Sequence, residues 1–185
     1  MLKLKASFFL GFLLIFFLGG CSTVVFENAK IQKKYNAFNT HTSFVNWVCV
    51  DKKPHTVAHF FSEFYEKNIE KIHVLDSGAE CKDSYQSNQN YEPKKGDHVT
   101  ILVIELDDVI DRVDCVYKNT VSMSMEKGVL VKSRDGEIPI KLLSLDCKRD
   151  TFLKSGNSGS PVFHKGKVVA FVSGGFTSTV VAITW

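Results

Sequence analysis

The feature that most constrains this chain is a continuous C-terminal segment in which a glycine-rich turn leads directly into a strand hairpin. The turn is GNSGSP at residues 156–161, and the hairpin reverses at KG (165–166) before the run FVSGG at 171–175. A seryl hydroxyl needs a base to become a nucleophile, and its acyl chemistry needs fixed N–H donors. Glycines allow the backbone to bring such donors close together. The segment therefore predicts a nucleophilic Ser158, with the amides of Gly156 and Ser158 as oxyanion donors.

The same segment resembles the chymotrypsin-like serine peptidases. Their nucleophile motif reads Gly-Asp-Ser-Gly-Gly-Pro, or Gly-Asn-Ser-Gly-Gly in many bacterial members. The likeness runs without a gap from Ser158 to Gly175, which makes it more specific than a six-residue motif. The alternative is a surface Gly/Ser turn between two strands. The resemblance implies an all-β fold of two packed six-stranded antiparallel β-barrels, with a short helix after the catalytic histidine.

A histidine in the first half of the chain is the expected general base. Residues 56–60, TVAHF, resemble the family's Thr-Ala-Ala-His-Cys, so the resemblance implies that His59 is this base, although Phe60 stands where the family often has cysteine. The rival is His55, four residues earlier. A metal site formed by the two histidines would need an acidic companion at motif spacing, which this run lacks. We therefore expect neither a metal nor a cofactor.

A carboxylate should orient the imidazole and stabilise its protonated form. The family order is His, Asp, Ser, and Asp97 opens an apolar run at 98–106 that is similar to the family's Asp-Ile-Ala-Leu-Leu. His98 and Thr100 depart from that pattern. The other candidates are Asp107, Asp108, Asp76 and Asp83. For Asp107 and Asp108, at the far end of the run, ordinary turn chemistry is the alternative role.

The resemblance also implies a substrate-binding strand and a specificity pocket. Phe152, six residues before the nucleophile, stands where an aspartate selects lysine or arginine. Cleavage after basic residues is therefore not expected, and small or aliphatic residues are favoured. Gly174 and Gly175 would form a wall without side chains, and Ser173 with these glycines would pair with the substrate as an added antiparallel strand. Core packing is the alternative role of Phe152.

The N-terminus has the pattern of an export signal. Lys3 and Lys5 precede an apolar run at 8–18, and the run ends in LGGC at 18–21. This predicts a signal peptide over 1–20. The ending resembles a bacterial lipobox, which implies cleavage before Cys21 and its acylation. Ser22 after the cysteine favours the outer membrane, so we expect a lipid-anchored protein of the bacterial cell envelope, facing the periplasm. An uncleaved N-terminal anchor is the alternative.

Beyond the signal, the pattern predicts a lipidated tether over 21–42 and one peptidase-like domain over 43–185. The domain divides into an N-terminal barrel at about 43–107 and a C-terminal barrel at about 114–185. Without its signal the chain has 165 residues, enough for a substantial core, and its formal net charge falls from +3 to +1. No nucleic-acid partner is expected. A helix is predicted at 60–67, and strands are predicted at 44–50, 72–75, 98–106, 114–117, 128–132, 138–145, 161–164, 167–173 and 179–185.

Four cysteines follow the lipobox: Cys49, Cys81, Cys115 and Cys147. An even number in an oxidising compartment suggests two disulfides, for which sequence allows three pairings. The preferred pairing is Cys49–Cys81 with Cys115–Cys147, because each bond then closes within one half of the chain. Four buried thiols are the alternative.

The function predicted from sequence is that of a membrane-anchored, extracytoplasmic serine endopeptidase. It would cleave protein or peptide substrates through His59, Asp97 and Ser158. The alternative is a catalytically silent peptidase-like lipoprotein that binds or blocks another envelope protein. The physiological substrate and the oligomeric state are left open by the sequence.

Overall fold

A computed structural model describes residues 23–27, 30–34, 42–75, 81, 84–105, 108–148, 157–176 and 179–185. A 3-10 turn covers Ala58–Phe60 and one helix, α1, covers Ser62–Glu66. The strands are β1 (Thr23–Glu27), β2 (Lys30–Lys34), β3 (Thr42–Asn46), β4 (Val48–Val50), β5 (Lys53–Val57), β6 (Ile72–Val74), β7 (His98–Glu105), β8 (Asp108–Glu126), β9 (Val129–Lys132), β10 (Ile140–Cys147), β11 (Pro161–His164), β12 (Lys167–Phe176) and β13 (Thr179–Thr184). Within these ranges no helix has the length and apolar character needed to cross a membrane.

Six antiparallel strands close into a barrel. Their order is β10-β13-β12-β11-β7-β8, and β8 pairs again with β10 to complete the ring, while β9 extends the far end of β8. Successive side chains of a strand point to opposite faces. Leu143 and Ala182 therefore pack inside the barrel, whereas their neighbours Leu142 and Ile183 pack outside it. Burial on both faces explains the continuous apolar run of β13 from Val180 to Ile183.

The outer face of the barrel packs against a second, three-stranded sheet. This sheet has the order β4-β5-β6, and its Val48, Val50 and Val57 share one core cluster with the barrel residues Phe171 and Ile183. The 3-10 turn and α1 follow β5 directly. The second sheet thus positions the candidate base, His59, and it packs against the barrel, whose β12 contains the predicted substrate-binding residues Ser173, Gly174 and Gly175.

The structure corrects the predicted organisation in several places. β7 was expected in an N-terminal barrel, but it pairs with β8 and β11 in the closed barrel. The predicted boundary at about 107–114 lies largely within β8, which runs on for 19 residues. The second sheet has three strands among the described residues, not six. The predicted tether contains β1 and β2, which form a third sheet with β3. The predicted helix at 60–67 is observed at Ser62–Glu66.

Both preferred disulfides are present. Cys49 of β4 is bonded to Cys81, with their Cα atoms 5.7 Å apart. Cys115 and Cys147 are directly opposite each other on β8 and β10, with their Cα atoms 4.1 Å apart. The second bond therefore crosses the strand pair that closes the barrel.

Candidate active site

The candidate base lies where β5 ends. Val57 of β5 pairs with Ile72 of β6, and the N–H of Ala58 donates to the carbonyl of Lys71 at 2.9 Å. Continued by one more residue, this antiparallel register places His59 opposite residue 70. The strand pair thereby fixes both the position of the imidazole and its neighbour.

That neighbour is Glu70, which the sequence analysis missed. Nδ1 of His59 donates to Oε2 of Glu70, and the same oxygen accepts a hydrogen bond from Oγ of Ser173 at 2.7 Å. The Glu70 side chain is fully buried, whereas 17% of the His59 side chain is exposed. Oε1 of Glu70 is also buried and has no hydrogen-bond partner among the described residues. Burial of a carboxylate with one oxygen unpaired is costly, so this position calls for an explanation other than stability.

The nucleophile turn connects the barrel to the second sheet. The N–H of Ser160 donates to the carbonyl of Asn157 at 3.2 Å, and Gly159 has a φ of +81°, as at the third position of a type II turn. A Cβ on Gly159 would lie 2.2 Å from the carbonyl oxygen of Asn46, at the end of β3, and 3.0 Å from Oγ1 of Thr56 in β5 of the second sheet. Only glycine fits this backbone and this contact, so the turn can hold the half-buried Ser158 against the second sheet.

Ser173 contacts both the candidate nucleophile and the carboxylate that binds the candidate base. Oγ of Ser158 donates to the carbonyl of Ser173 at 3.1 Å, and the hydroxyl of Ser173 binds the carboxylate that holds His59. A carboxylate only accepts hydrogen bonds, so Nδ1 of His59 carries the proton and Nε2 is free to accept one. The tautomer is therefore the one that a general base requires.

A cleft of about 210 Å³ lies beside this network. Six of its seven lining residues come from β12 and from the β8–β9 hairpin, the hairpin formed by the end of β8, the turn at 127–128 and β9. The seven are His59, Gly128, Val129, Leu130, Ser173, Gly174 and Gly175. The three predicted substrate-strand residues thus share one cleft with the candidate base.

Asp97 is not the partner of His59 in this structure. Its Oδ2 accepts hydrogen bonds from the hydroxyl of Tyr91 at 3.0 Å and from the N–H of Lys94 at 2.9 Å. The hydrogen bond from Lys94, followed by the one from Tyr91, holds the pKa of Asp97 below its ordinary value. Burial, together with the neighbouring Asp97 carboxylate, raises the pKa of Tyr91. The prediction that Asp97 orients the imidazole is therefore wrong in its geometry, because this carboxylate closes a turn before β7.

His55 is a core residue. It is 5% exposed, its ring stacks on Phe171, and its Nδ1 hydrogen-bonds the carbonyl of Lys53 at 2.8 Å. Desolvation lowers its pKa below the ordinary 6.5. Across the described ranges no group of three or more histidine, cysteine, aspartate or glutamate residues is placed to hold a metal ion.

Other predicted residues lie outside the described ranges or have a different place. Asp108 begins β8. The predicted lipidation site, specificity residue, first oxyanion donor and three alternative acids lie outside the described residues: Cys21, Phe152, Gly156, Asp76, Asp83 and Asp107.

Comparison with known proteins supports the fold. No protein family model and no curated protein sequence matches the chain. Among solved structures it is similar to the active form of the Rv3671c protease of M. tuberculosis, with a TM-score of 0.56 and 14% identity over 92% of this chain and 78% of that chain. A serine-to-alanine variant of that protease, in an inactive form, is similar with a TM-score of 0.53 and 13% identity, over 84% of this chain and 80% of that chain. At such identity the likeness shows the fold alone, and that fold is a serine protease fold.

Proposed function

We infer that this chain is a serine endopeptidase in which Ser158 is the nucleophile, His59 the general base and Glu70 the carboxylate that orients it. The observation that carries the proposal is that Ser173 binds both halves of the site: its carbonyl accepts from Ser158, and its hydroxyl donates to the carboxylate of Glu70, which also binds Nδ1 of His59. A buried carboxylate on Nδ1 and a serine on a glycine turn are two of the parts that nucleophilic serine catalysis requires; the third, a contact between Oγ of Ser158 and Nε2 of His59, is what the proposal adds. The similarity in fold to a protease agrees with it.

The mechanism assigns each group one task. Oγ of Ser158 turns from the Ser173 carbonyl toward Nε2 of His59, which takes its proton as the oxygen attacks the peptide carbonyl carbon. The N–H groups of Ser158 and Gly156 hold the resulting oxyanion. His59 then gives the proton to the leaving amine, and a water molecule activated by the same nitrogen releases the acyl group. Glu70 stabilises the imidazolium in both steps.

The substrate is a protein or peptide segment held along the edge of β12 that faces away from β13. We propose that cleavage does not follow basic residues and that Phe152 forms part of the specificity pocket. We also keep the proposal that the chain is exported, lipidated at Cys21 and held at the outer membrane facing the periplasm. This location would present the cleft to proteins of the cell envelope.

A second candidate function is that of a silent, peptidase-like binding lipoprotein. One observation favours it: Oγ of Ser158 donates to the Ser173 carbonyl, so in this structure the hydroxyl is engaged with the strand. In that case the edge of β12 would hold a peptide without cleaving it. The two candidates differ in whether Ser158 reacts.

The test is covalent labelling of the purified protein with a small alkyl fluorophosphonate. We expect the wild type and the Ser160→Ala variant to label, and Ser158→Ala and His59→Ala to fail while they remain folded by circular dichroism. Ser160 is a matched control because it lies in the same turn, and its buried hydroxyl has no partner among the described residues. A folded wild type that never labels would support the binding lipoprotein.

A further inference from the structure

The β8–β9 hairpin forms an aliphatic wall of the cleft. It reverses at Lys127 and Gly128, whose φ angles are +50° and +75°. Met125 and Leu130 are buried in the core cluster shared by the barrel and the second sheet. Val129 also lines the cleft, yet it is 59% exposed. The hairpin is therefore anchored by packing while it presents an uncovered aliphatic side chain to the cleft.

The tip of the hairpin docks on the segment that follows the base. The N–H of Gly128 donates to Oδ1 of Asn68 at 3.3 Å. The ring of Tyr65, on α1, lies so close that a Cβ on Gly128 would be 1.7 Å from it. Because α1 begins three residues after His59, the hairpin reaches from the barrel to the helix that directly follows the base. It closes one side of the cleft.

The direction of β12 determines which part of a bound peptide meets this wall. Ser158 bonds to Ser173, and from there β12 runs through Gly174 toward the hairpin, where a Cβ on Gly174 would lie 3.5 Å from Leu130. One edge of this stretch pairs with β13, while the backbone hydrogen bonds on the other edge, to β11 and then to Gly159 and Ser160, extend as far as Val172 in the described chain. A peptide added antiparallel along the other edge runs toward Ser158. Its residues beside the hairpin therefore precede the scissile bond.

Resting on the proposed peptidase function, we propose that the β8–β9 hairpin is the element that selects the substrate. The cleft takes an aliphatic side chain from the residues that precede the scissile bond and holds it against Val129 and Leu130. Of the seven residues that line the cleft, His59 is the one with a titratable side chain. A lysine or glutamate side chain entering it would lose hydration without gaining an opposite charge, which is costly.

The experiment uses fluorogenic tetrapeptide amides with alanine at the cleavage position. The three preceding positions carry leucine, lysine or glutamate one at a time. The full chain and its Val129→Glu variant are compared, with Ile138→Glu as a matched control because Ile138 is 94% exposed and outside the cleft. Labelling by the small alkyl fluorophosphonate is measured in parallel, since it depends on Ser158 and His59 but not on peptide recognition.

We expect the wild type to prefer leucine at one or more of these positions. Relative to the fluorophosphonate labelling rate of the same variant, Val129→Glu should lower kcat/KM for that leucine peptide by about tenfold or more and raise it for the matching lysine peptide. Ile138→Glu should behave as the wild type. Normal labelling with no leucine preference, or with a preference that Val129→Glu does not alter, overturns the role of the hairpin and leaves the peptidase intact. Absence of labelling in the folded wild type overturns both.

Discussion

Replacement of Glu70 by glutamine is the sharpest test of the proposed catalytic group. The amide has nearly the same shape as the carboxylate, so the buried site stays filled, but it is neutral and can donate. If it donates to Nδ1 of His59, the proton moves to Nε2, and that nitrogen can no longer accept a proton from Ser158. If the amide oxygen of the glutamine faces Nδ1 instead, His59 keeps its proton on Nδ1, but the negative charge that stabilises the imidazolium is lost.

The size of the effect follows from the burial of Glu70, whose side chain has no exposed surface. A carboxylate and an imidazolium with charge centres about 4 Å apart attract each other by about 4 kcal/mol at an effective dielectric constant of 20. Loss of that attraction alone slows the reaction by about three orders of magnitude. Inversion of the tautomer adds to it, so we expect a total loss of about four orders of magnitude in the acylation rate.

The assay is the rate of fluorophosphonate incorporation into Glu70→Gln, with Asp97→Asn as the matched control. Asp97 carries the same charge but binds Tyr91 and Lys94, so its amide variant should keep the rate within about threefold of the wild type. Melting curves establish that both variants are folded. A Glu70→Gln variant that keeps more than a tenth of the rate would refute the assignment, and a slow Asp97→Asn variant would return the role to Asp97.

Three further results are expected. Ser173→Ala removes one hydrogen bond to a buried charge and should slow the reaction of Ser158 with the fluorophosphonate about tenfold; a loss as large as that expected of Glu70→Gln would contradict this minor role. Gly159→Ala combines a positive φ with overlap on a backbone carbonyl and should lower the free energy of unfolding by about 3 kcal/mol in urea titrations. Gly96, with a φ of +93° and open space around it, is the matched control: Gly96→Ala should lower the free energy of unfolding by about 1 kcal/mol. Equal losses in the two variants would show that the overlap with the Asn46 carbonyl at Gly159 adds no destabilisation. Because the pKa of His55 is lowered in the folded state, the unfolded chain binds more protons near pH 6, so stability should fall as the pH drops from about 7 to 5. His55→Phe should flatten that slope, and an unchanged slope would assign it to other groups.

The elements that sequence located best are those determined by local chemistry. β11 occupies Pro161–His164 as predicted, and β12 begins at Lys167, because a two-residue turn between apolar runs defines a hairpin without help from distant residues. The length of β8 could not be obtained in this way. Its 19 residues pair in succession with β7, β10 and β9, and such pairing depends on closure of the barrel.

Glu70 was not predicted from the sequence for a more specific reason. The family pattern predicts an aspartate before a strand in the middle of the chain, whereas Glu70 follows His59 by 11 residues. β5 was not predicted as a separate strand, because Pro54 and His55 interrupt its apolar pattern. Had β5 been paired with the predicted strand at 72–75, the register of Val57 with Ile72 would have placed Glu70 opposite His59.

The close spacing of His59 and Glu70 divides the site into two parts that form by different kinds of contact. The base and its carboxylate meet through a short β5–β6 connection, so this half can assemble early, as local contacts generally do. Its link to the barrel through Ser173 joins residues 103 positions apart. Any loosening between the second sheet and the barrel would therefore separate two intact halves and halt acylation before either half unfolds.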